Sequence, residues 1–277
     1  MTKYNLVGRT VLVTGAASGI GAATTRTLIA AGANVALLDL HQGPVDSLAA
    51  ELGPKAFPIA ADVTDLAAME GVVAKVIERF GSLDVCFANA GIAAAKPTTI
   101  QSSSVDEFER IVEVDLLGVW RTVRACLPAI TRANGHILLT SSTYAFFNGT
   151  GNAPYAASKA GVEAFGRALR GELAGTGTTA GVLYPGWVDT PIIHASHSDK
   201  VTQELIRIGN PGPLGRPVQP KIIADAVVRG IENRSPRVFA PRRWVPLSVG
   251  RGLLAILGDA LLDQHERMHE LLRQIER

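Results

Sequence analysis

The chain has little of what marks secreted, membrane-spanning or nucleic-acid-binding proteins. Its 277 residues include only two cysteines. Both sit in apolar contexts, Cys86 in Leu83-Asp84-Val85-Cys86-Phe87-Ala88 and Cys126 in a helical pattern, so buried free thiols are expected rather than a disulfide. Met1–Asn5 lacks the apolar run of a signal peptide, and a cytoplasmic location is expected. Charged residues make up only 19% and the net charge is +2, which leaves no global field for nucleic acid. The segment Trp244–Leu262 is apolar, but Arg251 and Asp259 interrupt it, and it reads as too broken for a transmembrane helix. There is no internal repeat or low-complexity tract.

Hydrophobic residues make up 47%, enough for a sizeable core. A single dinucleotide-binding and catalytic domain over residues 1–277 is expected, since α/β domains often exceed the usual size. Short apolar runs alternate with longer segments of helical period, the pattern of repeated βαβ units. Strands are predicted at Thr10–Thr14, Asn34–Asp39, Ala56–Ala60, Leu83–Ala88, Gly135–Ser141, Thr179–Tyr184 and Arg237–Ala240. Helices are predicted at Ile20–Ala31, Pro44–Leu52, Leu66–Phe80, Val105–Arg132, Tyr155–Ala174 and Pro220–Asn233, with a short one near Lys200–Ile208. Most strands are continuous apolar runs, as in parallel sheets covered on both faces. The fold class is therefore α/β, a Rossmann-type doubly wound parallel sheet of seven strands with ligands at the strands' carboxyl ends.

In the long helix, Ser104 and Glu107 form a capping box. Its apolar stripe, from Phe108 to Ile130, suits core packing or a subunit contact. Proline-rich residues 186–219 break the periodicity and read as a substrate loop, in which His194 and His197 could touch substrate. His265 and His269 have a metal-capable spacing without a third ligand. They read as a solvated helix face, and no metal site is expected.

Thr14-Gly15-Ala16-Ala17-Ser18-Gly19-Ile20-Gly21 follows a β-branched run and opens a helix. That context lets backbone N–H groups approach a pyrophosphate. Gly15 suits the tight turn, Gly19 leaves room for phosphate, and Gly21 allows close helix packing. Asp39 ends the second strand, where a carboxylate accepts from a ribose hydroxyl and repels a 2′-phosphate, which favours NAD over NADP. Tyr155 and Lys159 lie four apart on one helix face, so an ammonium can stabilise a phenolate.

With Asn89-Ala90-Gly91 and Pro185-Gly186-Trp187-Val188-Asp189-Thr190, these motifs make the chain resemble the short-chain dehydrogenase/reductase family over about Val7–Ala240. The resemblance implies adenine contacts at Asp62 and Val63, a cofactor-lining turn at Asn89, Ala90 and Gly91, and nicotinamide contacts at Val188 and Thr190. It also implies a catalytic Ser142, thirteen positions before Tyr155, with Ser141 pointing the other way. Tyr155 would move the proton, and Lys159 would also hold the nicotinamide ribose. Lowering the phenol's pKa by ~3 units needs roughly 4 kcal/mol. One position departs from the family: Asp115 stands where an Asn supports the proton relay, and it could pair with Lys159.

The expected activity is NAD-dependent interconversion of an alcohol and a ketone on an apolar small molecule. An NADPH-dependent carbonyl reductase and a catalytically silent NAD-binding protein are the alternatives. The resemblance also implies a homo-oligomer, a tetramer or dimer. The C-terminal extension 241–277 would pack over the site or on another subunit, with monotopic membrane contact through its arginines as the alternative.

Overall fold

The computed structural model describes residues 3–94, 96–146, 148–190, 200–209 and 212–276. Seven parallel strands form one sheet in the order β3-β2-β1-β4-β5-β6-β7. They are β1 Thr10–Thr14, β2 Asn34–Asp39, β3 Ala56–Ala60, β4 Val85–Ala88, β5 His136–Thr140, β6 Thr179–Pro185 and β7 Arg237–Ala240. The helices are α1 Gly19–Ala30, α2 Gln42–Leu52, α3 Leu66–Phe80, α4 Val105–Val112, α5 Gly118–Arg132, α6 Ala153–Glu172, α7 Lys200–Gly209, α8 Pro220–Glu232, α9 Val245–Asp263 and α10 Glu266–Ile275. The strands agree with the sequence reading to within about two residues.

All residues of β1, β4 and β5 are buried, because helices cover both faces of the sheet. One core layer packs Leu12, Cys86 and Ile137 with Met69 and Val123, and the other packs Val13, Phe87 and Leu138 with Leu28 and Val227. Both cysteines are free and buried, as expected. The strand order reverses between β1 and β4, in register at Val13 and Phe87, and this opens a crevice at their carboxyl ends.

Three expectations are corrected. The long helix is not continuous: Glu113–Leu117 winds as a π-helix between α4 and α5. The tail is not too broken for an apolar helix. Arg242–Asp263 is long and apolar enough to cross a membrane by length and composition, with a mean hydropathy of 1.5, because Arg251 and Asp259 are too few to offset its apolar residues. The two histidines do not form a solvated face. His265 caps α10 by accepting from the Met268 N–H through Nδ1, and His269 Nε2 contacts the Leu262 carbonyl. No group of three metal-binding side chains occurs among the described residues. His194, His197 and Pro191–Ile193 lie outside them.

Candidate active site

The turn after β1 is shaped by close contacts that only glycine permits. Gly15 has φ +64°, and a Cβ there would sit 2.9 Å from the Ala90 Cα. A Cβ on Gly21 would lie 1.9 Å from the Gly15 carbonyl oxygen, so the first turn of α1 rests on the loop itself. Ser18 caps α1 without a side-chain hydrogen bond to the helix and does not satisfy the first-turn N–H groups. The Thr14 hydroxyl accepts from the Asn89 and Ala90 N–H groups at 2.9 Å each, and Asn89 Nδ2 donates to the Thr14 carbonyl at 3.1 Å. The ends of β1 and β4 are thereby locked together at the switch point.

A cleft of about 1000 Å³ opens there. Its wall includes Gly15, Ser18, Gly19, Ile20, Asp39, Asp62, Val63, Asn89, Ala90, Gly91, Asp115, Tyr155, Lys159, Pro185 and Thr190. Asp39 accepts from the Ala17 N–H at 2.9 Å and from the Leu40 N–H at 2.8 Å. Each oxygen keeps a further acceptor site. Asp62 accepts from the Thr64 N–H at 2.8 Å. Size, a glycine-built cradle and a carboxylate at the end of β2 fit a nicotinamide dinucleotide.

Three of the expected residues stand off the wall besides Gly21, whose place is in the packing of α1: Ser142, which is buried behind it, Gly186 and Val188. Gly186 lies against the Trp244 indole, and the Val188 side chain is buried in the core.

Opposite the loop, α6 presents Tyr155 and Lys159 on one face. Lys159 is buried, with Nζ 3.0 Å from Asp115 Oδ2, 3.4 Å from the Thr140 carbonyl and 5.4 Å from the Tyr155 ring centroid. Asp115 is fully buried in the π-helical turn, and its Oδ1 accepts from the Ile92 N–H at 2.7 Å. Gly91 packs on this pair: a Cβ there would lie 3.2 Å from Lys159 Nζ. Ser141 points away from the site and donates to the Lys159 carbonyl at 2.7 Å, as expected. Ser142 sits beside the Tyr155 phenol and accepts from the Tyr144 N–H at 3.2 Å.

These surroundings set the protonation states. Burial holds the Tyr155 phenol above its ordinary value; Lys159 pulls it down, Asp115 pushes it up, and the Ser142 hydrogen bond lowers it. The phenol of this protein alone is therefore not lowered, because desolvation outweighs Lys159 and the Asp115 carboxylate opposes it. Burial likewise raises the Asp115 carboxyl, against the pull of Lys159. Burial alone would depress Lys159, but Asp115 and Tyr155 more than offset it, and the ammonium is kept. Lys159 thus stays an ammonium between Asp115 and the Tyr155 ring.

Several residues at the site went unread in the sequence. Tyr144 meets the Tyr155 ring edge-on at 5.6 Å and Trp187 at 6.0 Å, and burial pushes its own phenol up to about 12. Ile92 contributes only a backbone N–H, which leaves no trace in side-chain chemistry. Glu163, one turn beyond Lys159, is buried and takes a bidentate contact from Arg251 of α9 at 2.8 and 2.7 Å. The i, i+4 series Tyr155, Lys159, Glu163 could have flagged it.

Comparison with known proteins agrees with this architecture. A family model described as short chain dehydrogenase matches residues 9–201. A 3-oxoacyl-(acyl-carrier-protein) reductase of Thermotoga maritima is 34% identical over 227 residues, covering 80% of this chain and 90% of that protein. A cis-4-hydroxycyclohexanecarboxylate dehydrogenase of Sinomonas cyclohexanicum is 34% identical over 222 residues, covering 79% and 87%. Among solved structures, a 3-ketoacyl-(acyl-carrier-protein) reductase of Brucella melitensis complexed with NADH superposes with a TM-score of 0.76 at 27% identity, covering 85% of this chain and 97% of that one.

Proposed function

The chain belongs to the short-chain dehydrogenase/reductase family, and on that premise we propose that it is an NAD-dependent oxidoreductase interconverting a secondary alcohol and a ketone on an apolar small molecule. The observation that carries this reading is that Tyr155 and Lys159 share one cleft with the glycine loop and Asp39, with Ser142 hydrogen-bonded to the Tyr155 phenol. The names of the relatives, a ketone reductase and a dehydrogenase of a ring alcohol, agree with chemistry at a CH–OH centre.

Gly15, Ser18, Gly19 and Ile20 would hold the pyrophosphate. Asp39 would take the adenosine ribose and Asp62 and Val63 the adenine, with Asn89, Ala90 and Gly91 along the cofactor's path and Pro185, Gly186, Val188 and Thr190 near the nicotinamide. When bound, the dinucleotide supplies or takes up the hydride. Ser142 donates a hydrogen bond to the substrate oxygen. Tyr155 passes a proton to that oxygen in reduction and removes it in oxidation. Lys159 spends N–H groups on Asp115 and the Thr140 carbonyl, and its third donor is available to a ribose hydroxyl. The Tyr144 and Trp187 rings suit an apolar substrate body beside Tyr155.

The phenol stands above its usual range, so Tyr155 is protonated near neutrality and ready as a proton donor. Reduction is expected to hold at neutral pH and oxidation to rise toward alkaline pH. The test follows nicotinamide absorbance with NAD or NADP and a panel of secondary alcohols and ketones, from small aliphatic to steroid. Turnover with NAD is expected, falling about 10²–10⁴-fold in Tyr155→Phe while cofactor affinity holds. A kcat/KM for NADP equal to or above that for NAD would remove Asp39 as selector. Intact cofactor binding without turnover across the panel would overturn the enzymatic reading.

A further inference from the structure

Helix α9 turns an apolar face to solvent. It carries no buried residue, yet Val249, Leu253, Leu254, Ile256, Leu257 and Leu261 are exposed, Val249 by 82% and Leu261 by 71%. At 100° per residue these side chains fall on one broad face that holds no charge. The ionisable residues between Pro246 and Leu262 lie off that face: Arg251 is half-buried and turned to α6, and Asp259 is exposed on the flank of the helix. Arg251 holds Glu163 of α6, and Asp259 accepts from Asn148 Nδ2 at 3.2 Å, beyond the turn that follows Ser142.

We propose that α9 is an interfacial helix that docks the protein on an anionic membrane surface, lying in the membrane plane with Val249, Leu253, Ile256, Leu257 and Leu261 among the lipid chains. The length suits this: 19 residues make a rod of roughly 28 Å. Charge complementarity selects the occupant. Arg242 is exposed at the helix's N-terminal end, where it can meet anionic headgroups, and Arg237 is exposed at the start of β7, while Arg243 donates to the Arg216 carbonyl. A second copy of this chain fits less well, since protein interfaces pair an apolar centre with hydrogen-bonding side chains that set register, and this face offers none. Crossing the bilayer is opposed by the tether: a spanning position would carry Arg251 away from Glu163 and leave that buried carboxylate without its cation. Docked flat, α9 would hold α6 and the turn after Ser142 beside the lipid surface through the same two contacts.

Flotation of the full-length protein tests this without any substrate or cofactor, so its outcome is separate from that of the proposed reaction. The probes are vesicles of phosphatidylcholine alone and of phosphatidylcholine with about one third phosphatidylglycerol. Wild type should float with the anionic vesicles at least about tenfold more than Leu253→Glu/Leu257→Glu, should be released by an alkaline carbonate wash, and should keep part of its binding in high salt. Arg242→Glu should weaken binding to anionic vesicles only, which preserves the test if the double variant melts early. Failure of wild type to float, or equal flotation of wild type and a normally folded double variant, overturns the proposal. So does resistance to carbonate, which indicates a spanning helix. A wild-type oligomer that dissociates in the double variant without vesicle binding makes the face a subunit contact and equally overturns it.

Discussion

Asp115 acts on the Tyr155 phenol in two opposed ways. Its charge raises the Tyr155 phenol directly, and its contact with Lys159 keeps the ammonium that lowers it. In Asp115→Asn the direct negative charge is lost while a hydrogen-bonding partner for Lys159 remains. The phenolate is then easier to form, so the alkaline limb of the oxidation profile should move to lower pH by on the order of one unit. An unchanged pH–rate profile would show that Asp115 does not act on the phenol. Lys159→Ala leaves a buried carboxylate unpaired, and urea unfolding should register a loss of about 3 kcal/mol, partly recovered in Lys159→Met/Asp115→Asn. Tyr155 and Lys159 were legible in the sequence because i, i+4 spacing alone puts them together. Tyr144 was not, since its contact with Tyr155 depends on how the turn after β5 folds back on α6.

At the scale of elements, glycine positions set how closely helices approach the sheet. Gly166 of α6 lies where a Cβ would come within 2.5 Å of Val182 Cγ2 in β6 and 3.2 Å of Leu139 Cδ1 in β5. Alanine would favour the helix by about 1 kcal/mol. Overpacking against a branched side chain in a central strand costs about 1–3 kcal/mol and should win. Gly166→Ala is therefore expected to be destabilised in chemical denaturation, with turnover reduced because α6 carries Tyr155 and Lys159. The strands were read correctly because helices cover both faces of the sheet and each strand is a plain apolar run. The π-turn at Glu113–Leu117 was not, because the helical period continues through it without a proline. Within that turn Asp115 reaches Lys159 and the Ile92 N–H, contacts that no helical period records.

Over the whole molecule, acid sensitivity has an identifiable source in β5. His136 is fully buried, its Nδ1 is 2.8 Å from the Thr179 hydroxyl, and burial with help from Arg234 and Arg170 lowers it from 6.5 to about 3. Below the ordinary value the unfolded chain takes up a proton that the folded chain refuses. The stability is thus fully present above pH 6.5 and lost as pH falls toward about 3, at up to about 1.4 kcal/mol per pH unit. Unfolding free energies measured across that window should show the slope, and His136→Gln should flatten it whatever its effect at neutral pH. The C-terminal region behaves differently from the sheet. Helix α10 packs Met268 and Leu271 against Leu205 of α7, while α9 stays apolar and open.

The sequence by itself determined the seven-stranded parallel sheet, the glycine loop, Asp39 and the Tyr155–Lys159 pair, because each depends on neighbours within one strand, turn or helix face. Tertiary structure alone decided what those groups face. It brought Asp115 to Lys159, closed Gly91 over the pair, set the Tyr144 ring edge-on to Tyr155 and turned Arg251 of an apolar helix onto Glu163. Contacts of that kind join residues far apart in the chain, and their energies depend on burial that no local pattern records.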